Sequence, residues 1–137
     1  MQTDGETFED FLKRREAVST DYINGRPESL IALSTVDGPA TFFPPNGARV
    51  RGAADVNASN EKGAHIFGSG SKGHFEIWQS GSSGDLGFWS GIQHAEVMMK
   101  GKDAPVSMQL RVTEAFRREA GEWKLVHRHA DATTEKV

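Results

Sequence analysis

The stretch Arg111-Val-Thr-Glu-Ala-Phe-Arg-Arg-Glu-Ala-Gly-Glu-Trp-Lys-Leu-Val-His-Arg-His-Ala-Asp131 decides how the chain is read. Glu119-Ala120-Gly121 interrupts it as a turn, and on either side apolar and polar residues alternate with the period of a β-strand. Side chains two apart on a strand share a face. Met108, Leu110, Val112 and Phe116 fall on one face of the incoming strand, with Gln109, Arg111, Thr113 and Ala115 on the other. In the returning strand Trp123, Leu125, His127 and His129 share a face, opposed by Lys124, Val126, Arg128 and Ala130. A mixed apolar and polar face suits the lining of a small-molecule pocket. Gln109, Arg111 and Thr113 read equally well as the wet side of a one-sided sheet.

Working outward, the alternating pattern begins after Gly70. It predicts four strands, Gly73 to Ser80, Leu86 to Lys100, Pro105 to Arg118 and Glu122 to Asp131, separated by Gly81-Ser82-Ser83-Gly84-Asp85, Gly101-Lys102-Asp103 and Glu119-Ala120-Gly121. Gly87 and Gly91 lie inside a strand, where a curled sheet would bend. Upstream the period is helical. Phe8, Phe11, Leu12, Ala17, Val18, Tyr22 and Ile23 recur every three or four residues, predicting a helix from Thr7 to Asn24 closed by Asn24-Gly25. A second helix is expected from Pro27 to Ser34, a small hairpin from Ala40 to Phe43 and Ala48 to Arg51, and a weaker helix from Ala53 to Phe67 interrupted by Gly63. Helices first and a long antiparallel meander afterwards make an α+β domain, its helices packed on one face of the sheet.

Composition sets the bounds. With 137 residues, 36% hydrophobic and 26% charged, the chain has the size and balance of one soluble globular domain, with a core of about residues 6–131 and loose polar ends. No cysteine occurs, which excludes disulfides, thiolate metal sites and cysteine nucleophiles. A net charge of −3 without basic clusters argues against nucleic acid as a partner. The opening MQTDGETFEDFLKRRE has no apolar run, so neither a signal peptide nor a membrane association is expected, and the cytoplasm is the expected compartment.

Motif chemistry is sparse. Gly68-Ser69-Gly70-Ser71-Lys72-Gly73 has the composition of a phosphate loop but not its order, because a strand rather than a helix follows it. No G-x-S-x-G motif is present. His127 and His129, two apart, are compatible with metal binding and equally with two hydrogen-bonded structural histidines; a third ligand would have to be His65, His74, His94 or a carboxylate, none informatively spaced. The reading of these residues therefore assigns no metal and no cofactor.

Phe116-Arg117-Arg118, the turn at Gly121 and Trp123-Lys-Leu-Val-His127-x-His129 resemble the last hairpin of the nuclear transport factor 2-like superfamily, in its SnoaL-like and ketosteroid-isomerase-like branch. The helix order and the Phe42-Phe43-Pro44-Pro45 hairpin resemble it too, so the likeness covers nearly the whole chain as one SnoaL-like domain, 1–137. It implies a cone-shaped, curved antiparallel sheet wrapped around three N-terminal helices, open at one end into a cavity, and a homodimer formed through the convex sheet face. The positions matching the ketosteroid isomerase catalytic groups are Pro44, Val18 and Thr113, which cannot perform those roles; Tyr22, one turn beyond Val18, is the nearest substitute. The hairpin also resembles the association domain of calcium/calmodulin-dependent kinases. The anion-binding arginines of that domain match Gly91, Thr113 and Ala130, and Arg111 is the nearest replacement.

The resulting expectation is a protein that binds a small organic molecule in the cone, with Tyr22, Trp89, Gln93, Arg111 and Thr113 contributing to the pocket. His127, and His129 oriented by Asp131, would be the catalytic pair of an isomerase, cyclase or dehydratase working by general acid/base chemistry without a covalent intermediate. The alternative is a non-catalytic dimeric association module.

Overall fold

The computed structural model describes residues 6–134. The ends expected to be loose fall partly on residues 1–5 and 135–137, which lie outside the described residues. Three helices precede the long strands: α1 (Phe8–Tyr22), α2 (Glu28–Leu33) and α3 (Ala53–Ala64). No helix is long and apolar enough to cross a membrane among the described residues. Thr7 caps α1 by accepting a hydrogen bond from the Asp10 amide, with Glu9 and Asp10 in the first turn where the helix dipole favours negative charge. Gly63 does not break α3, and the Tyr22 hydroxyl lies where a side chain at this position would be, so a larger residue would require the tyrosine to shift.

Six strands form one sheet: β1 (Thr41–Phe43), β2 (Val50–Arg51), β3 (Lys72–Ser83), β4 (Leu86–Val97), β5 (Val106–Glu119) and β6 (Glu122–Ala132), in the order β2-β1-β6-β5-β4-β3. β3 through β6 are the expected antiparallel meander. The β3–β4 connection is tighter than the five-residue turn predicted, because pairing continues to Ser83 opposite Leu86 and leaves Gly84, at φ +60°, and Asp85 as a two-residue loop. The β1–β2 hairpin joins the sheet through a parallel pairing of β1 with β6, which the antiparallel expectation did not include.

Two features curl the sheet. β3 bulges at Trp78, between Ile77 opposite Gly91 and Gln79 opposite Ser90, and a side chain at Gly91 would collide with the Glu76 carbonyl. Gly87 leaves the space filled by the Phe8 ring. The helices pack into the resulting concave face. Phe8, Phe11, Leu12 and Val18 of α1 meet Trp89, Val112, Phe116, Trp123 and Leu125, with ring centroids 5.0 Å apart for both Phe8–Trp123 and Phe11–Phe116.

A second bulge changes which side chains face inwards. Ala115 pairs with His127 but Phe116 with Leu125, so Val126 is an extra residue in β6 and the alternation reverses there. Trp123 and Leu125 point into the core as expected, but beyond the bulge Arg128 and Ala130 take the inner face. His127 and His129 turn to the outer side beside Thr41 and Phe43, and the face assigned to them by uninterrupted alternation is corrected accordingly.

Candidate functional site

Inside the curl, the residues of α1 fall into layers. Phe8, Phe11 and Leu12 belong to the aromatic core, Arg15 follows one turn later, and Ser19 and Tyr22 border a pocket. The strands repeat this order, from Phe116 through Glu114 to Leu110 and Met108 on β5.

The middle layer is ionic. Glu114 is fully buried, and its carboxylate accepts from Arg15 Nε at Oε1 (3.0 Å), Arg15 Nη2 at Oε2 (2.6 Å), the Trp89 indole N–H at Oε1 (2.8 Å) and Arg128 Nη1 at Oε2 (2.7 Å). Arg128 Nη2 donates to Gln93 Oε1 at 2.7 Å, and Gln93 Nε2 donates to Ser19 Oγ at 3.2 Å. Burial alone would raise the Glu114 pKa, but the charges and hydrogen bonds of Arg15 and Arg128 outweigh it and hold the group down at about 2. Burial pulls Arg128 below its ordinary value, opposed by Glu114; a guanidinium stays protonated at neutral pH regardless.

Beyond this layer opens a pocket of about 360 Å³ between α1, α2, α3 and the sheet. Ile23, Leu30, Phe42, Val56, Phe67, Val97 and Leu110 give it apolar walls, while Arg15, Tyr22, Asn60, Gln93 and Arg128 supply polar groups. The Tyr22 hydroxyl and the buried Asn60 amide have no hydrogen-bond partner among the described residues. Burial raises the Tyr22 pKa, so the phenol keeps its proton and donates. A small-molecule site is built this way, with apolar walls and a few placed polar groups.

The residues singled out from the sequence divide between two faces. Tyr22 and Gln93 border the pocket from the inner face, and His127 meets it only at the rim, its ring turned to the outer side. Trp89 lies behind it, wholly buried, stacked on Phe75 at 4.4 Å and tied to Glu114. Arg111 and Thr113 are on the outer face: Arg111 grips Asp131 at 2.7 and 2.9 Å, and the Thr113 hydroxyl meets Ser90 at 3.2 Å. His129 is also outside, with Nε2 3.7 Å from Asp131. His127 sits at the edge where β1 joins β6, its Nδ1 2.7 Å from Thr41 Oγ1 and its ring edge-on to Phe43. Burial, with a smaller effect from His129, lowers its pKa, which leaves the imidazole neutral at pH 7. Among the described residues no three histidine, aspartate or glutamate side chains gather as a metal site requires.

The ionic layer went unread in the sequence, although it left a signal. Arg15 stands at a core position of the α1 pattern, and Glu114 at the same parity as Leu110, Val112 and Phe116. A charge on an otherwise apolar stripe marks either a buried ion pair or a break in the element. Arg128 carried no such mark, because the bulge that turns it inwards has no signature in the alternation.

Comparison with known proteins agrees with this architecture. The chain superposes on a candidate calcium/calmodulin-dependent protein kinase II association domain from Xanthomonas campestris with a TM-score of 0.76 at 14% identity, covering 99% of this chain and 94% of that one. A candidate dehydratase of the nuclear transport factor 2-like family from Streptomyces avermitilis gives 0.74 at 16% identity over 87% and 91%. A nuclear transport factor 2-like superfamily protein from Salmonella enterica serovar Typhimurium gives 0.72 at 12% identity over 90% and 87%. At these identities the likeness is one of fold. No curated protein matches the sequence. The family model of the SnoaL-like domain matches residues 22–134, most of the chain and all six strands, and the protein therefore belongs to the SnoaL-like family.

Proposed function

We propose that this protein binds a small organic molecule in the pocket between its helices and the curled sheet. The observation that supports the reading is a volume of about 360 Å³ with apolar walls, bordered by the unpartnered Tyr22 hydroxyl and Asn60 amide. Among the described residues that border the pocket, His127, neutral and anchored through Nδ1 by Thr41, is the group suited to take up and return a proton near neutral pH, and it would reach a ligand at the rim where β1 joins β6 rather than from the inner face. Glu114 is saturated with donors and held ionised, and so supports the site rather than acting as a base. Isomerisation and elimination, which need proton transfer and no covalent intermediate, are the reactions that fit this set.

The test is a thermal-denaturation screen with small aromatic, steroid-like and anionic compounds, run on the wild type and on Ser59→Trp, which plugs the pocket from α3. A ligand present well above its Kd raises the Tm of the wild type by mass action and leaves the variant unmoved. Equal shifts in both proteins would place binding elsewhere.

A second reading, a dimeric association module, draws on the outer face, where Trp78 is 70% exposed and Leu86, Phe88 and Phe43 are partly so. It predicts a dimer by sedimentation that Trp78→Lys combined with Phe88→Lys dissociates; a wild-type monomer would remove it.

A further inference from the structure

The ionic layer does not balance. Two guanidiniums, Arg15 and Arg128, share a single carboxylate, and among the described residues none that borders the pocket is an aspartate or glutamate. Glu114 cannot take on more, because an ionised carboxylate offers about four lone-pair directions and four donors already occupy them: Arg15 Nε, Arg15 Nη2, Trp89 Nε1 and Arg128 Nη1. Arg15 is 2% exposed, and its Nη1 is buried with no acceptor among the described residues. Other acids on α1 and β5 are engaged elsewhere. Glu16 accepts from the Phe75 amide at 2.6 Å, Asp21 pairs with Arg26 and Ser29, and Glu119 pairs with Arg117 and Thr35. Tyr22 keeps its proton and His127 is neutral, so neither offsets the excess cation. An uncompensated buried charge beside an apolar pocket is costly, and an anionic ligand head relieves it.

Building on the proposed binding role, we infer that the ligand is an organic monoanion, a carboxylate on an apolar body, whose head is held at the Arg15–Arg128 layer and whose body lies along Leu110, Val97 and Phe67.

Calorimetric titration at pH 7 with two matched pairs tests this: phenylacetate against phenylacetamide, and hexanoate against hexanamide. The charged member of each pair is expected to bind at least tenfold more tightly to the wild type, and the preference to vanish in Arg15→Met, which leaves one cation for one carboxylate. Equal affinity of acid and amide in the wild type overturns the charge inference and leaves pocket binding standing. Persistence of the preference in Arg15→Met overturns the assignment to Arg15. Failure of all four probes, with neutral compounds still raising the Tm in the screen, overturns the carboxylate class alone; failure of the whole screen removes the binding reading with it. Should Arg15→Met not fold, the wild-type comparison of acid with amide decides.

Discussion

Arg15 on α1 and Glu114 on β5, 99 residues apart in sequence, meet in a two-pronged ion pair, Nε to Oε1 at 3.0 Å and Nη2 to Oε2 at 2.6 Å, with both side chains almost wholly excluded from solvent. The pair does two things at once. It fixes the first helix on the sheet at one register, and it separates an aromatic core, in which Phe8, Phe11, Phe116 and Trp123 touch, from the open pocket beyond. A planar guanidinium fork fits a carboxylate in this geometry, and a lysine would not replace it.

Replacing Glu114 with glutamine leaves two buried guanidiniums facing a neutral amide. Removing one partner of a buried pair is expected to lower stability by about 3–5 kcal/mol. Urea unfolding checks this, and a loss below about 1 kcal/mol would show that the layer does not fix α1 on the sheet as described.

The same carboxylate sets an acid limb. Its folded pKa, about 2, lies below the ordinary value of 4.5, so its contribution is fully present above 4.5 and is lost as the pH falls from there towards 2. The shift corresponds to roughly 3 kcal/mol. Urea midpoints measured between pH 6 and 2 should fall steeply for the wild type and less so for Glu114→Gln; parallel curves would contradict the assignment.

How much of this was legible follows from what a one-dimensional pattern can carry. The helices and long strands were legible because Phe8, Phe11, Leu12 and Val18, or Leu110, Val112 and Phe116, repeat at the period of the element that buries them. Tyr22 and Gln93 reach the pocket because nothing disturbs the period before them. The parallel docking of β1 on β6 was not legible, since it depends on contacts between residues 41–43 and 127–129 that no local signal specifies. Nor was the face of the histidines. One extra residue, Val126, exchanges inner and outer sides, so that Arg128 replaces His127 at the ionic layer.

The bulge of β3 at Trp78 depends on Gly91. A methyl group there meets the Glu76 carbonyl and the Trp78 amide, with no flexible side chain to give way. Gly91→Ala is expected to destabilise by roughly 1–3 kcal/mol. A Tm unchanged within error would show that the curl tolerates a side chain at this point.

His127 should titrate below an ordinary histidine, followed by the NMR shifts of its ring protons. Since the folded pKa is the lower one, the histidine favours the fold above its unfolded pKa and opposes it as the pH falls through the folded value. Phe43→Ala, which uncovers the ring, should move the midpoint up. A midpoint at or above the ordinary 6.5 in the wild type would remove the neutral proton-transfer role.

The central claim is that the inner face, not the outer one, receives the ligand. Chemical-shift mapping with the strongest hit of the thermal screen tests it most directly. The account predicts perturbed amides at Tyr22, Asn60, Gln93, Leu110 and Arg128, with Arg111, Thr113 and His129 unmoved. Perturbations gathered on Arg111, Thr113 and His129, with the inner set silent, would contradict it.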